Sequence, residues 1–356
     1  TEETLKRVRG MFAIALWDRE SRELALARDR AGEKPLYVYQ DHSGLIFASE
    51  LRAIFKAPSF KKKLNDSAVE EFLKYGFLPS ATCVYDNLTK VMPGQIATFS
   101  SLFEPAKFKK YWSLPISDEN HNQHLSVNEQ VDKFRNLLTD AVKEQMLSDV
   151  PVGAFLSGGI DSSLIVGVMQ DISSKPVNTF TMGFSGDRDD ETMHAKKVAN
   201  AYGTNHSELV INPQDVIESI PRLSQAYDEP FADPSQLPTL LLCEEMRKLV
   251  TVVLSGDGGD ELFAGYNRHR AMYPLFDWYD KGAAKYVGPW VASGIRKVSP
   301  RVFDSVPKLG RFLGRKKITN DLSEKMNYIA SMLEASGPEE AYKSILSRWS
   351  STEQPP

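Results

Sequence analysis

The first part of the chain consists of short apolar runs separated by polar turns. The runs within residues 10–49 are GMFAIALWD, RELALARD, PLYVYQ and GLIFAS. Polar or glycine-bearing segments of hairpin length lie between them, an arrangement that is typical of antiparallel strands. Helical spacing replaces the strand pattern from Glu50 onward and again from Asp66, where Asp66 or Ser67 is expected to cap a helix. Residues 1–112 are therefore predicted to form an antiparallel, β-rich domain.

A polar stretch without periodicity, residues 113–127, follows and is interpreted as a linker. From Asn128 to Met146, apolar residues recur at intervals of three and four, which predicts an amphipathic helix. Beyond it, strand-length and helix-length segments alternate as far as Leu254. Such alternation is characteristic of a mostly parallel, doubly wound α/β sheet, which binds ligands at the carboxyl ends of its strands. Residues 128–356 are therefore predicted to form a second, α/β domain.

Composition argues against several classes of function. Of the 356 residues, 42% are hydrophobic and 25% are charged, as in an ordinary globular protein with room for two domains. A net charge of −4, with no apolar run of membrane-spanning length, gives no reason to expect nucleic acid or a membrane as a partner. The two cysteines, Cys83 and Cys243, argue against a disulfide scaffold and favour the reducing cytoplasm. Six scattered histidines without metal-ligand spacing argue against zinc chemistry.

The strongest candidate for a binding site is the segment Ser157–Ser163, with the sequence SGGIDSS. It follows an apolar run, Val152–Leu156, that predicts a buried strand, and it leads into an apolar helix. Two glycines permit close backbone approach, three serines add donors, and the helix start supplies N–H groups, which together favour a phosphate anion. Asp161 would repel that anion unless a cation lay between them, so Mg²⁺ is expected. The alternative is an ordinary tight turn that caps a buried helix.

A second acidic loop, Ser255–Glu261, follows the predicted strand Thr251–Leu254. Its acidic residues are Asp257, Asp260 and Glu261. If this strand and the one before Ser157 belong to the same sheet, both loops lie on one rim, and Asp161 and Asp260 are placed to share a hard cation. A metal would also relieve the mutual repulsion of the three acids. The alternative is a helix N-terminus, where the helix dipole stabilises acidic side chains.

Two further segments are candidates for substrate contacts. Met182 and Gly183 end a predicted strand, where glycine admits a flat adenine ring and methionine packs on it. Core packing is the alternative for these two residues. In residues 228–235, DEPFADPS, two X-Pro steps hold the chain extended, and Asp233 and Ser235 are candidates to face a substrate. A helix end followed by a newly capped helix explains this segment equally well.

Taken together, these motifs resemble two known domains. SGGIDSS resembles the pyrophosphate loop of the N-type ATP pyrophosphatases, the PP-loop enzymes. With TFTMGF, YGTNHSE, DEPFADPS and LSGDGGDELFAGY, it resembles the synthetase domain of glutamine-hydrolysing asparagine synthetases. The upstream segments RGMFAIALWD, LARDRAGEKPLYVY and FASELRAI are similar to the second half of that family's glutaminase domain, a class II amidotransferase. The resemblance covers residues 9–270.

The resemblance implies a fold and a function. An incomplete, Ntn-hydrolase-like antiparallel domain is expected to precede a doubly wound PP-loop domain. The family adenylates aspartate with ATP and Mg²⁺, releases pyrophosphate, and amidates the aspartyl-adenylate with ammonia from glutamine. The expected ligands of this chain are therefore ATP, Mg²⁺, aspartate, and glutamine or ammonia, with a homodimer as a candidate assembly.

The resemblance also assigns roles to individual residues. Those implied in pyrophosphate binding are Ser157, Gly158, Gly159, Asp161, Ser162 and Ser163. Those that fall where the family contacts AMP are Phe155, Met182, Ser255 and Gly256, with Gly183 beside them. The implied Mg²⁺ ligands are Asp161 and Asp260, and the implied catalytic acids are Asp257, Asp260 and Glu261. Asp257 stands where the family often carries the longer glutamate, a departure that shortens its reach.

Two other features depart from the family's pattern. The family's glutaminase nucleophile is a cysteine at the mature N-terminus, whereas Thr1 begins this chain in mid-domain and Cys83 matches no such motif. The family's synthetase domain also continues into a basic segment with a lysine that stabilises the intermediate, and no match to it precedes Pro356. The chain is therefore expected to be a fragment, truncated at the C-terminus of its synthetase domain and unable to hydrolyse glutamine.

Two other functions remain open from the sequence. The same scaffold can close a β-lactam or a peptide macrocycle, with an internal amine in place of ammonia. A divergent copy can also serve as a nucleotide-binding or subunit-interaction module without catalysis. The identity of the carboxylate substrate that ATP activates distinguishes the first alternative from an enzyme that uses aspartate. Formation of an adenylate separates the second alternative from any enzyme of this class.

Overall fold

The computed structural model describes residues 2–79, 81–101, 104–115, 125–184, 191–266, 269, 279, 283–298 and 322–348. The chain divides into two compact units, of which the first comprises Thr1–Ala68 and Leu78–Asp257 and the second Val69–Phe77 and Gly258–Pro356. Most of the predicted linker, residues 116–124, lies outside the described residues. None of the helices described is long and apolar enough to cross a membrane.

Antiparallel sheets form the first part of the first unit, as the alternation of apolar runs and polar turns predicts. The strands are β1 (Ala13–Asp18), β2 (Glu23–Arg28), β3 (Tyr37–Asp41), β4 (Gly44–Ala48), β5 (Leu88–Lys90), β6 (Gln95–Phe99) and β7 (Lys107–Lys110). They form one sheet of order β1-β2-β6-β7 and another of order β4-β3-β5, with all neighbours antiparallel. The helices in this part of the sequence are α1 (Glu2–Arg7), α2 (Leu51–Ile54) and α3 (Asp66–Tyr75).

Helix α3 begins with a different cap from the one predicted. Asn65 Oδ1 accepts a hydrogen bond from Ala68 N at 3.3 Å and another from Ser67 Oγ at 2.7 Å. Asparagine is among the best N-cap residues because its short side chain reaches the free N–H groups of the first turn. The prediction of Asp66 or Ser67 as the cap is therefore wrong by one or two residues, and the Ser67 hydroxyl binds the capping side chain instead.

The two antiparallel sheets pack on each other through a shared core. Its buried residues are Leu26, Leu36, Val38, Val91, Ala97 and Phe99, which come from both sheets and the connection before β6. Tyr39 follows Val38 along β3 and therefore faces the opposite side of its sheet. There it joins a second buried cluster with Leu51 and Ile54 of α2. The second sheet is thus covered on both faces.

A parallel sheet forms the rest of the first unit. Its elements in chain order are α4 (Val127–Gln145), β8 (Val152–Phe155), α5 (Ile160–Ile172), β9 (Asn178–Phe184), α6 (Glu191–Tyr202), β10 (Asn205–Ile211), α7 (Pro213–Ala226), α8 (Gln236–Met246) and β11 (Val252–Leu254). The strand order is β10-β9-β8-β11, with all neighbours parallel. The chain steps outward from β8 to β10 and returns to β11 on the other side of β8, as in a doubly wound sheet. This reversal makes the carboxyl ends of β8 and β11 the switch point of the sheet. The predicted order of an antiparallel part followed by a parallel α/β part is confirmed.

Apolar surface remains exposed on two elements of this unit. Helix α4 begins at a capping box formed by Ser126 and Glu129, close to the predicted start. Of its predicted apolar stripe, Val142 is buried, whereas Leu137 is 63% exposed. All six residues of β1 are exposed, and Trp17 is the most accessible large side chain among them. Helical or alternating periodicity in these segments therefore predicts the element type correctly but not its burial.

The second unit is helical over its described residues. Its helices include α9 (Gly259–Leu262), α10 (Ala283–Lys297), α11 (Leu322–Glu334) and α12 (Pro338–Leu346). Helices α10 and α11 pack closely, because Gly288 lies against the carbonyl oxygen of Leu333 and leaves no room for a side chain. Ala292 is fully buried at the same contact. Arg296 and Glu334 form an ion pair across it at 2.7 Å.

The fully buried carboxylate of Asp29 organises the turn that follows β2. It accepts hydrogen bonds from the backbone N–H groups of Phe12, Glu33 and Lys34, at 3.3, 2.9 and 2.9 Å. Three donors from two segments of the chain, Phe12 in one and Glu33 with Lys34 in the other, thus depend on one side chain. Hydrogen bonds to a charged group are stronger than neutral ones, and these three are partly buried, so this residue contributes to the local stability.

We expect Asp29→Ala to lower the free energy of unfolding by about 2–4 kcal/mol, because three partly buried hydrogen bonds to a fully buried carboxylate are lost. Asp18→Ala is the matched control, since Asp18 also accepts from two backbone N–H groups, those of Glu20 and Ser21, but is exposed. Asp18→Ala should lower the free energy of unfolding much less. Urea unfolding followed by circular dichroism measures both, and equal losses would contradict the role of burial.

Candidate active site

The loop Ser157–Ser163 joins strand β8 to helix α5. The strand ends at Phe155, and α5 begins at Ile160 with Gly159 as its N-cap. The first N–H groups of a helix have no intrahelical acceptor, and they point toward whatever lies before the helix start. The residues Asp161–Ser163 lie in this first turn. The predicted strand, glycine turn and helix start are therefore all present, which is the arrangement that binds anions.

Gly158 permits the sharp change of direction inside this loop. Its φ is +79°, a conformation that side-chain-bearing residues rarely adopt. A Cβ at this position would lie 2.6 Å from the backbone nitrogen of Ala195 in α6 and 2.7 Å from Cβ of His194. Only glycine satisfies both the conformation and the space. The glycine requirement thus comes from the packing of α6 on the loop as well as from the turn.

The serines of the loop have two different roles. Ser162 Oγ lies 3.0 Å from Ser157 Oγ and accepts a hydrogen bond from Ser157 N at 3.2 Å, so these two residues brace the loop internally. Ser163 Oγ is buried and has no hydrogen-bond partner among the described residues. A buried hydroxyl without a partner is uncommon and calls for one. A phosphate oxygen at the loop would supply an acceptor, so the donor set fits a polyphosphate ligand.

The second loop meets the first at Gly256. A Cβ on Gly256 would lie 2.8 Å from Ser162 N and 2.9 Å from Asp161 Cβ. This approach is possible because β11 pairs with β8 in parallel, with Leu254 opposite Ala154, and both loops leave the same edge of the sheet. The sequence predicts a shared rim for the two loops, and the structure places Gly256 there in direct contact with the loop Ser157–Ser163, which we call the phosphate loop after its predicted ligand.

Two acids of the second loop, Asp257 and Glu261, have local partners. Asp257 Oδ2 accepts a hydrogen bond from Ser255 Oγ at 3.0 Å, and Ser255 Oγ accepts from Asp257 N at 3.3 Å. Asp260 and Glu261 belong to the second unit, in the first turn of the short helix α9. There Glu261 Oε1 accepts a hydrogen bond from Tyr266 OH at 2.7 Å. The position of Asp260 and Glu261 agrees with the alternative in which acids at a helix N-terminus interact with the helix dipole.

Within the described residues, no three His, Cys, Asp or Glu side chains are grouped so as to hold a metal ion by themselves. Mg²⁺ is commonly bound by one or two carboxylates together with waters and substrate phosphates. Asp161 is half-buried in the first turn of α5, beside the groups that fit phosphate. That donor set suits Mg²⁺ bound with a polyphosphate. The pairing of Asp161 with Asp260 at one ion remains a prediction.

Phe155, Met182 and Gly183 lie at the carboxyl ends of adjacent strands. Phe155 is opposite Phe180 in the register of β8 and β9, and the two rings share a hydrophobic cluster with Met246. Met182 lies farther along β9 and is half-buried, and Gly183 is buried. The position suits an adenine ring at the sheet edge, while the cluster also gives Phe155 a core-packing role. Contact of these three residues with AMP remains a prediction.

The segment 228–235 uses its side chains in two ways. Asp233 Oδ1 accepts hydrogen bonds from Ser235 N at 2.8 Å and Ser235 Oγ at 2.6 Å, just before α8. This local turn favours the helix-capping interpretation of Asp233 and Ser235. The carboxylates of Asp228 and Glu229 instead form ion pairs with the antiparallel part of the unit. Sequence patterns do not mark these two acids, because their partners lie far away along the chain.

Neither cysteine has the properties of a nucleophile. Cys83 is fully buried, and burial followed by the nearby carboxylate of Glu229 raises the pKa of its thiol far above the ordinary value. Burial also raises the pKa of the Cys243 thiol. Because the thiolate is the reactive form, both side chains stay unreactive at neutral pH.

Comparison with known families identifies the domain types. A family model for asparagine synthase matches residues 133–355, and a model for a glutamine amidotransferase domain matches residues 1–112. The chain belongs to the asparagine synthase family. The resemblance found in the sequence motifs is thereby confirmed.

Individual relatives agree with this membership. Asparagine synthetase [glutamine-hydrolyzing] 1 of Bacillus subtilis is 33% identical over 337 residues, covering 91% of this chain and 51% of that protein. A Methanocaldococcus jannaschii protein, provisionally named as an asparagine synthetase, is 40% identical over 274 residues, covering 76% of this chain and 52% of that protein. The chain thus spans about half the length of these relatives. An NH3-dependent NAD synthetase from Campylobacter jejuni matches 38% of this chain and 60% of its own at 18% identity and a TM-score of 0.29, too low to support an argument.

We expect Gly256→Ala to separate the two loops, because the new Cβ would meet backbone atoms of Asp161 and Ser162 that cannot move aside like a flexible side chain. Overpacking of this kind typically costs about 1–3 kcal/mol. Gly294→Ala is the matched control, since a Cβ there meets nothing within 4 Å. Urea unfolding measures stability, and hydrogen exchange of residues 157–163 reports loop separation. Unchanged exchange in Gly256→Ala would show that the contact does not hold the loops together.

Proposed function

We propose that this chain is part of an ATP- and Mg²⁺-dependent amidotransferase that adenylates aspartate, releases pyrophosphate, and forms asparagine with ammonia from glutamine. The observation that carries the proposal is the contact of Gly256 with Asp161 and Ser162, which joins two glycine-rich acidic loops at the switch point of a parallel sheet. Ligands of doubly wound sheets bind at such points. Membership of the asparagine synthase family supports the substrates and the reaction class.

In this proposal the two parts of the chain divide the reaction between them. Residues 1–112 are the glutaminase-type domain, residues 113–127 the linker, and residues 128–356 the ATP-using synthetase domain. The matches at 1–112 and 133–355 support this division. The ammonia donor is glutamine, supplied through the first domain, and the acceptor is aspartate, bound next to the synthetase loops.

The phosphate loop stabilises pyrophosphate as a leaving group. Backbone N–H groups of the first turn of α5 face its oxygens, and the unpartnered hydroxyl of Ser163 donates to one of them. Ser157 and Ser162 keep the loop in shape through their mutual hydrogen bonds, and Gly158 and Gly159 let the ligand approach the backbone. Charge that develops on the leaving group thus meets donors that are already oriented, which lowers the barrier.

The acidic residues divide between metal binding and adenylate formation. Asp161 and Asp260 hold Mg²⁺, which neutralises phosphate charge when it is bound. Asp257 and Glu261 assist formation of the adenylate from the side of the second loop. The internal hydrogen bonds between Asp257 and Ser255 support an oriented carboxylate at this position.

The nucleoside part of ATP occupies the adjacent strand ends. Phe155, Met182 and Gly183 flank the adenine ring, and Ser255 and Gly256 contact the AMP portion from the second loop. Their position on neighbouring strands of one sheet supports this assignment, since Phe155 of β8 lies beside Phe180 of β9 in register. Gly183 near the end of β9 has no side chain to obstruct the approach of a flat ring.

Exchange of labelled pyrophosphate into ATP tests the reaction directly. We expect exchange that requires Mg²⁺ and aspartate, because adenylate formation is reversible before ammonia attacks. If only a carboxyethyl amino acid or a large peptide supports exchange, the substrate is that of a cyclase and the assignment of aspartate is wrong. Mg²⁺-dependent ATP binding without exchange for any carboxylate would instead identify a nucleotide-binding module.

Substitution of the two predicted metal ligands tests their roles. Asp161→Asn and Asp260→Asn should each reduce aspartate-dependent exchange at least about 100-fold, because charge on the leaving group is no longer neutralised. Asp171→Asn is the matched control, since Asp171 is an exposed acid at the other end of α5. It should exchange at the wild-type rate. Undiminished exchange in either of the first two variants would refute the shared metal.

A further inference from the structure

Five polar side chains connect the antiparallel domain to the segment that opens at Asp228. They are Tyr37, Arg52 and Lys90 on the antiparallel side and Asp228 and Glu229 on the parallel side, and we call them the interdomain cluster. The antiparallel members come from β3, α2 and β5, three elements that are fixed to one another by their own core. A rigid surface of one domain therefore holds two consecutive residues of the other.

Glu229 is the centre of the cluster. Its Oε2 lies 3.0 Å from Lys90 Nζ and accepts a hydrogen bond from Tyr37 OH at 3.3 Å, while Oε1 accepts from Val84 N at 3.3 Å. The side chains of Glu229 and Lys90 are each only 13% exposed. Burial and the nearby carboxylate raise the pKa of Tyr37, so its hydroxyl remains a donor. A carboxylate this deeply placed is held by all three donors, and loss of one partner leaves a buried charge unpaired.

Asp228 adds a second, directional attachment. Arg52 Nε donates to Asp228 Oδ1 at 3.1 Å, and Arg52 N donates to Asp228 Oδ2 at 3.3 Å. Arg52 Nη2 also donates to the carbonyl oxygen of Ala226 at 3.3 Å. The last residue of α7, Ala226, and Asp228, two residues beyond it, are therefore both fixed to α2. Two neighbouring attachments define an orientation, which a single ion pair does not.

The attached segment is closed on itself and leads to the candidate site. The rings of Tyr227 and Phe231 pack edge to face at 4.7 Å, and Gln236 Nε2 donates to the Phe231 carbonyl oxygen at 3.2 Å. Helix α8 then follows, and its residue Met246 packs in the cluster that contains Phe155. Residues 228–236 and α8 thus connect Glu229 to the cluster that contains Phe155.

We propose that Glu229 is a positioning residue, which fixes the segment 228–235 and α8 against the antiparallel domain. By fixing them it couples glutamine hydrolysis to aspartate amidation. The inference rests on the proposed function for its chemistry, and on the cluster for its mechanism. Glu229 need not contact either substrate, because it acts through the elements that it holds. Removal of its charge should leave each half-reaction intact and separate one from the other.

Hydrogen exchange of this chain tests the positioning without any assay of activity. In Glu229→Gln, amide exchange in residues 228–236 should rise about tenfold or more, since Lys90 is left as a buried unpaired charge. Exchange in β9 should not change. Glu144→Gln is the matched control, because Glu144 also pairs with the antiparallel domain, at Arg9 Nη1, but with both side chains largely exposed. An equal rise in Glu144→Gln, or no rise in Glu229→Gln, would overturn the positioning role.

Two further variants keep the test decisive if Glu229→Gln folds poorly. Tyr37→Phe removes one hydrogen bond and no charge, and it should raise exchange in 228–236 by a smaller factor in a fully folded protein. Lys90→Met leaves Glu229 unpaired, whereas the double variant with Glu229→Gln removes both charges. Exchange in the double variant should fall below that of Lys90→Met alone. Additive increases would show that the two residues do not act as a pair.

The coupling itself is measured in a form of the protein that carries an intact glutaminase site. Glu229→Gln should raise the number of glutamines hydrolysed per asparagine severalfold, while pyrophosphate exchange and ammonia-supported synthesis stay near wild type. A proportional fall in all activities, or an unchanged ratio, would reject coupling through Glu229. Absence of aspartate-dependent exchange in the wild type would reject the proposed function instead, and the hydrogen-exchange result would still decide the positioning role.

Discussion

The contact of Gly256 with the backbone of Asp161 and Ser162 is the constraint on which the candidate site depends. It exists because strand order reverses after β10, so that β11 returns to lie beside β8. Each loop alone is a turn at the end of a strand, with donors or acids that many proteins carry. The contact places Gly256 of the second loop against the first turn of α5, where Asp161 and the Ser163 hydroxyl lie. The chemistry proposed for the chain follows from that contact.

The ion pairs and hydrogen bonds of the interdomain cluster fix the antiparallel domain to the parallel one. Buried ion pairs are weak sources of stability, since desolvation offsets much of the attraction between the charges. Their geometry is nevertheless specific, because a misplaced partner leaves a charge without compensation. The interdomain cluster provides this geometric specificity at the contact between the antiparallel domain and the segment that begins at Asp228. Apolar packing alone would tolerate small shifts between the same surfaces, and the Glu229 carboxylate with its three donors does not.

Most of the fold and the phosphate loop can be predicted from local sequence. Burial and long-range partners cannot, because they depend on residues that are distant along the chain. Strand alternation, helical spacing and the SGGIDSS turn are properties of neighbouring residues, and each is found where the pattern places it. The exposure of Leu137 depends on what packs against α4, which periodicity does not contain. The cap of α3 moves to Asn65 because several adjacent residues can cap and only backbone geometry selects one. The partners of Glu229 are equally hidden, since Tyr37 and Lys90 are ordinary strand residues until the domains meet.

The parallel pairing of Val252 with Val152 has a consequence for the order in which the protein acquires its site. The hairpins β1–β2 and β3–β4 close short loops and can form early, because little chain entropy is lost. The β8–β11 ladder joins segments that are distant in sequence, and it requires β9, β10 and the helices between them to be laid down first. On the ribosome, the phosphate loop is synthesised long before the strand that completes its surroundings. A nascent chain therefore carries the SGGIDSS turn without the acidic loop, and the contact at Gly256 can form only after β11 has been synthesised.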